Sequence, residues 1–475
     1  MLVVALGLIP AGRVAAQTSA GVVTTLYSFS FDDTNGFYPV CGLVQGSDGN
    51  FYGTTSSGGT PSCEGGTVFK ITTNGVLTTL YSFPFVTEPS YSYFPDGNGP
   101  AGVLAQGSDG NFYGVTIGGG TNLSDDGTVF QITTNGALTV LHSFTGGYDG
   151  DEPYAGLVLG SDGNFYGTAS EGGTNAIGIG TEGTVYKITT NGVLTALYCF
   201  TGGNDGGLPY GGLVQGSDGN FYGVAHSFGT NVSYGTVFKI TTNGALTALY
   251  SFSGGDDGGL PQCTLVQGRN GNFYGTTYEY ASNNDGTIFT ITTNGVLTTL
   301  CEFGAFPNDY PASGYSEPYT GLVQGSDGNF YGVTYDGGTN DEGAAYEITT
   351  NGVFTVLYSF GPYLSGNGEN PYGPLVQGSD GSFYGTTELG GTNLAGTVFR
   401  MTIVPVLPQL TITFVGPDSA VISWPDTGSY TLQTNGVLSA SGWVAYGSTV
   451  TTINGTNNVT IMPPTGNLFF RLASP

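Results

Sequence analysis

Two kinds of side chain in this sequence could do chemistry, and both sit in the same glycine-rich segments. Acids cluster in GGYDGDEPY at 146–154, GGNDGGLPY at 202–210 and GGDDGGLPQ at 254–262. Carboxylates beside glycine-freed carbonyls are the hard oxygen ligands that calcium gathers, about six to eight at a time. The candidate ligands are Asp149, Asp151, Glu152, Asp205, Asp256 and Asp257. Their spacing lacks the full D-x-[DN]-x-[DN]-G pattern with a distal Glu, so an EF-hand loop is excluded and a calcium site would be structural before catalytic. No other cofactor is brought forward. Tyrosine recurs directly after proline at Tyr154, Tyr210, Tyr319 and Tyr372. Planar rings beside acids hold sugars by stacking on C–H faces while hydroxyls are hydrogen-bonded. The bland alternative is that the acids form a solvated face and the tyrosines pack the loop bases.

Catalytic constellations are sparse. Of two histidines, His142 occupies a strand position where Tyr81, Tyr198 and Tyr250 stand elsewhere, so it reads as a packing residue, and His226 is the one candidate base among the loops. No G-x-S-x-G elbow accompanies it, and no GxxxxGK[ST] phosphate loop is present. Paired carboxylates for glycosidic cleavage have many candidates but no distinctive pair. The cysteines number five and include no CxxC, which removes structural zinc and thioredoxin-like redox chemistry. Cys41 and Cys63 share one repeat and could bridge; the other three read as small buried hydrophobes.

The elements that position these residues are set by an internal repeat. FYG begins at Phe51, Phe112, Phe165, Phe221, Phe273, Phe330 and Phe383, seven copies at spacings of 52 to 61 residues. Each follows a variant of LVQGSDGN and precedes a Gly-Gly-Thr loop, GTVFKITTNG and a segment like VLTTLYSF. Four strands per unit result, A to D in chain order; in the first unit they are 42–46, 50–55, 67–72 and 76–83. Asp-Gly joins A to B (Asp48-Gly49) and Asn-Gly joins C to D (Asn74-Gly75), dipeptides that tolerate the positive φ of tight hairpins. The seventh unit stops at GTVFRMTIV without a D strand, whereas GVVTTLYSF at 21–29 precedes the first A strand. An N-terminal strand can complete a last blade, so the sequence predicts an all-β seven-bladed β-propeller over 21–404, closed by an N-terminal outer strand.

LVQGSDGNFYGTT, the GGT loop and GTVFKITTNGVLTTLYSF resemble the GloVer tandem repeat of exported bacterial proteins of the choice-of-anchor type. The resemblance covers about four-fifths of the chain. It implies a secreted, extracellular or cell-surface bacterial protein of propeller-like fold and brings no activity or catalytic residue with it. Such proteins are expected to finish in a membrane-spanning sorting anchor; the ending FFRLASP has no hydrophobic span or basic tail, so that mode of anchoring is not expected.

Residues 1–16 read as a secretory signal peptide ending in Val14-Ala15-Ala16, 405–409 as a Pro-rich linker, and 410–475 as a small β-sandwich around Trp424 and Trp443. This last segment resembles the immunoglobulin-like or fibronectin-like modules of secreted bacterial proteins.

Charge narrows the partners. Seven Lys and Arg oppose 34 Asp and Glu, a formal net charge of −27. That is too few cations to neutralise a run of phosphates, so nucleic acid and anionic membrane are excluded as partners. Thirteen acids fall in D–A loops and eleven in B–C loops, which an up-and-down blade places on one face, so 24 of the 34 crowd one side. The expectation is an exported, non-catalytic binding or structural repeat protein that recognises a glycan or another extracellular polymer or protein on this acidic, Tyr-rich face. The alternatives are a polysaccharide hydrolase or lyase using loop carboxylates, and an envelope spacer whose repeats merely stack.

Overall fold

The computed structural model describes residues 19–31, 34–60, 64–89, 91–121, 125–173, 182–230, 233–281, 284–303, 318–362, 366–405, 410–416, 419–425, 431–435, 444–445, 447–453, 456–461 and 469–473. The signal segment 1–16, most of the 405–409 linker, Cys63 and Trp443 lie outside the described residues.

Each of the first six repeats forms one antiparallel four-stranded sheet whose strands lie in chain order, and the seventh supplies three strands of a seventh sheet. In the first unit these are Val44–Gln45, Phe51–Thr55, Thr67–Ile71 and Leu77–Ser82. Local chemistry explains the hairpins. At the A–B turn Gly49 has φ +82°, while Asp48 accepts hydrogen bonds from the Asn50 backbone N–H at 3.1 Å, the Asn50 amide at 2.7 Å and the Tyr52 hydroxyl at 2.9 Å. At the C–D turn the Gly75 N–H donates to the Thr72 carbonyl at 3.0 Å and the Val76 N–H to the Thr72 hydroxyl at 3.0 Å. A register shift between Val68 and Phe69 adds one residue to strand D, and the same irregularity recurs between Val185 and Tyr186 and between Val237 and Phe238.

The first five residues of strand B are buried in every unit, FYGTT in the first, because neighbouring sheets cover both of its faces. Its central glycine makes room for a ring: a Cβ on Gly53 would stand 2.7 Å from Cζ of Phe69. Between units aromatic side chains meet. Tyr52 stacks on Phe112, Tyr166 on Phe221 and Tyr384 on Phe51, each at 4.0 Å between centroids. Each such pair adds about 0.5–1.5 kcal/mol beyond the burial of its area. The side-chain amide of the strand-A glutamine reaches the A–B turn of the preceding unit, Gln106 accepting from the Ser47 N–H at 3.0 Å and Gln45 from the Ser379 N–H at 2.9 Å. Unit three has Leu159 at that position and lacks the clasp.

The expected seven-bladed propeller is corrected by the strand pairing. Ladders stay inside each four-stranded sheet, and no sheet closes on itself into a barrel or propeller. The result is an all-β, tandem-repeat array of seven separate sheets, because what joins neighbours is aromatic and amide packing and loop hydrogen bonds, such as Leu208 N–H to the Glu182 carbonyl at 2.8 Å, rather than shared strand ladders. Ser19–Ser28 is the outer strand of the seventh sheet, beside Thr397–Pro405.

The chain divides into two compact units, one spanning Gly21–Thr402 and the other including Ile403–Pro475. Within the second lie a four-stranded sheet and a three-stranded sheet, with Ile422, Trp424, Leu432 and Val459 clustered in its core. Among the described residues no helix is long and apolar enough to cross a membrane.

Candidate functional site

The D–A and B–C loops are tied to each other by backbone pairing. Phe37 bridges Ser57, Asp151 bridges Glu171, Gly207 bridges Ser227 and Gly259 bridges Glu279, so the two loop sets emerge together. The residue before the D–A proline bends the chain. Tyr38, Glu152, Leu208, Leu260 and Asn370 all have φ between 51° and 57°, a left-handed backbone that costs a non-glycine residue about 1–2 kcal/mol. The carbonyl of that residue accepts the N–H of the sixth residue after the start of FYG: Glu152 from Ser170, Leu208 from His226, Asn370 from Glu388. This repeated kink places two variable positions of each unit side by side, the residue after proline and the residue after FYGxT.

The post-proline residues of all seven units, Val40, Ala101, Tyr154, Tyr210, Gln262, Tyr319 and Tyr372, line one cavity of about 870 Å³. The four tyrosines singled out by sequence are therefore brought together, as two pairs. Tyr154 meets Tyr210 edge-on at 5.4 Å. Tyr319 stacks on Tyr372 at 5.0 Å, and Tyr278 joins this pair with its hydroxyl 3.2 Å from that of Tyr319. Tyr335 stands edge-on to both Tyr319 and Tyr372. From the second position His226, Ile117 and Glu388 reach the cavity, whose deeper wall is apolar, with Leu157, Leu213, Leu265, Leu322 and Leu375.

Burial sets the protonation of these groups. Desolvation, then the charge and hydrogen bond of Glu152, push Tyr154 up to about 12, so it stays a hydroxyl donor. Desolvation pulls the His226 imidazole down to about 4, against a backbone hydrogen bond with Leu260, so the ring is neutral; its Nδ1 has no hydrogen-bond partner. Desolvation raises the Glu388 carboxyl, opposed by a hydrogen bond with Tyr335. The arrangement can stack a flat apolar face, donate from several phenols and offer one carboxyl and one neutral imidazole. This combination of apolar wall and few polar groups suits a polyhydroxylated small unit.

Three of the acids proposed for calcium make hydrogen bonds within their loops. Asp149 accepts from the Thr145 hydroxyl and bonds His142 Nε2 at 2.9 Å. Asp205 accepts from the Tyr198 hydroxyl at 3.0 Å and the Thr201 N–H at 2.8 Å, and Asp257 likewise from Tyr250 and Ser253 at 2.9 Å. These three lock the start of the D–A loop. Asp151 is pushed up to about 6, first by desolvation and then by Asp126 and Glu152. The Asp256 carbonyl accepts the Thr299 hydroxyl at 3.1 Å. Among the described residues no three His, Cys, Asp or Glu side chains form a group able to hold a metal ion. Cys41, on the cavity wall, carries a free thiol that desolvation pushes up to about 11.

Sequence reasoning had not singled out Glu388. Its signal was present: the residue after FYGxT runs Ser56, Ile117, Ser170, His226, Tyr278, Tyr335, Glu388 through otherwise near-identical repeats. A column that varies where its neighbours repeat is where one unit differs in task from the next.

The chain belongs to the Gloeobacter/Verrucomicrobia repeat family, whose model matches residues 10–181, 174–366 and 317–462. No curated protein matches it. Among solved structures, puromycin hydrolase, as a mutant complexed with PGG, is similar at TM-score 0.47 and 14% identity, over 85% of this chain and 61% of that one. This chain thus spans about three-fifths of that enzyme's length. A luciferin-regenerating enzyme is similar at TM-score 0.39 and 13% identity, over 80% of this chain and 95% of the other. At these scores neither likeness carries an argument for fold or activity.

Proposed function

We propose that this repeat protein is exported and non-catalytic, and that it holds a glycan or another extracellular polymer in the tyrosine-lined cavity. The observation that carries the reading is the gathering of Tyr154, Tyr210, Tyr319 and Tyr372, from equivalent positions of four units, around one cavity of about 870 Å³. The two aromatic pairs, Tyr154–Tyr210 and Tyr319–Tyr372, provide two stacking walls. Export fits the N-terminal apolar segment and the acidic composition. An immunoglobulin-like or fibronectin-like C-terminal module fits the two antiparallel sheets around Trp424.

A second reading, a polysaccharide hydrolase or lyase, is favoured by a specific pair in the same cavity: a raised carboxyl at Glu388 suited to proton donation and a neutral imidazole at His226. Retention on a panel of immobilised polysaccharides, run beside an assay for new reducing ends and unsaturated products, separates the two. Binding predicts retention without product, weakened at least about tenfold by Tyr154→Ala with Tyr210→Ala, since each ring contact is worth roughly 1 kcal/mol. Product that disappears in Glu388→Gln or His226→Ala would replace the binding reading by the enzymatic one. No retention and no product on any polysaccharide would leave neither.

A further inference from the structure

The charge of the cavity specifies its ligand further. The residues that line it include one acid, Glu388, and no Lys or Arg. Bases of the chain are engaged elsewhere. Lys70, Lys187, Lys239 and Arg400 lie opposite Tyr52, Tyr166, Tyr222 and Tyr384 in the B–C register, away from the B–C loop ends. The three lysines there act on the turn aspartates Asp48, Asp162 and Asp218. Among the described residues no Lys or Arg lines this cavity, so the half-buried carboxyl of Glu388 has no counter-charge there, a condition that an arriving cation relieves.

Beside it stand electron-rich rings. Tyr335, hydrogen-bonded to Glu388, is edge-on to the stacked Tyr319 and Tyr372, and both of these line the cavity. Ring faces attract an ammonium group within about 6 Å of their centres, most strongly where water is excluded. Tyr154 is bonded to Glu152, with Glu171 acting on Tyr210, so the second aromatic pair is also backed by carboxylates. A uronate or sulfated sugar would bring negative charge against these groups and against a chain of net charge −27.

We infer that the cavity selects a glycan carrying a free amine, with Glu388 as counter-charge to the ammonium and the Tyr319–Tyr372 stack as the wall on which the sugar lies. This rests on the glycan-binding reading and adds the charge class of the ligand.

Calorimetric titration of the full chain in mild acid, where the glucosamine amine carries its proton, with a β-1,4-linked glucosamine oligomer, its fully N-acetylated counterpart and a galacturonate oligomer tests it. The amine form should bind about tenfold or more tighter than the acetylated form, the acidic oligomer should not bind, and added salt should narrow the preference. Glu388→Gln, nearly isosteric, should reduce the preference to within about threefold. Equal or tighter binding of the acetylated oligomer by the unaltered protein overturns the amine inference while leaving glycan binding intact, and needs no variant. A preference that survives Glu388→Gln overturns the role of Glu388. No binding of any of the three, together with no retention on the polysaccharide panel, removes the glycan reading itself and this inference with it.

Discussion

A Cβ on Gly75 would stand 2.5 Å from the carbonyl oxygen of Leu26, so the C–D turn of the first unit lies directly on the N-terminal strand. The same approach recurs from unit to unit: Gly136 on Leu80, Gly192 on Leu141, Gly244 on Leu197 and Gly295 on Leu249, each at 2.5 Å. A turn glycine thus does two things at once, adopting positive φ and letting one sheet reach the outer strand of its neighbour.

These two roles can be separated. Gly49 and Gly75 have nearly the same φ, +82° and +87°, but a Cβ on Gly49 meets nothing within 4 Å. Gly49→Ala should cost only the left-handed penalty of about 1–2 kcal/mol. Gly75→Ala should cost about 1–3 kcal/mol more, the price of overpacking against Leu26. Denaturant unfolding of the two variants gives the difference; equal costs would mean that the contact carries no stability.

Tyr186 and Tyr346 occupy the strand-C position filled by Phe69, Phe130, Phe238, Phe289 and Phe399 in the other units. Both are wholly buried, and neither hydroxyl has a hydrogen-bond partner. Desolvating a hydroxyl without a partner costs about 1–3 kcal/mol. Tyr186→Phe and Tyr346→Phe should therefore each raise stability by about 1 kcal/mol, visible as a higher Tm. A fall in Tm for both would show that the hydroxyls are satisfied in solution.

Stability should peak in mild acid. Desolvation pulls Asp48, Asp109, Asp162 and Asp218 upward, but hydrogen bonds from the Asn and Tyr of the same turn outweigh it and hold each below 3.8. Such groups contribute stability that is present above 3.8 and lost as pH falls through their lower folded values. Asp151, raised to about 6 mainly by desolvation, contributes with the opposite sign: its stability is complete below 3.8 and lost as pH rises through about 6. Tm should then be highest near about pH 4 and fall toward about pH 6, and Asp151→Asn should flatten that fall. Identical profiles for the two proteins would remove Asp151 as a cause.

The sequence by itself determined the unit. Asp-Gly and Asn-Gly turns, a recurring FYG and the alternation around it act over a few residues, so the four strands of each repeat and their order were legible without any tertiary information. So was the recurrence of tyrosine after proline, because the repeat aligns Tyr154, Tyr210, Tyr319 and Tyr372 with one another. How the units join was not legible. Counting strands per repeat suggested a closed propeller, whereas pairing stops at the edge of each four-stranded sheet and neighbours meet through Tyr52–Phe112 stacks and Gln106–Ser47 clasps. Those are contacts between residues some sixty positions apart, and no local pattern encodes their partner. The same holds for charge. Asp149, Asp205 and Asp257 meet His142, Tyr198 and Tyr250 only in the fold, and Glu388 becomes the cavity's acid because separate units turn Ile117, His226 and Glu388 from equivalent positions toward one space.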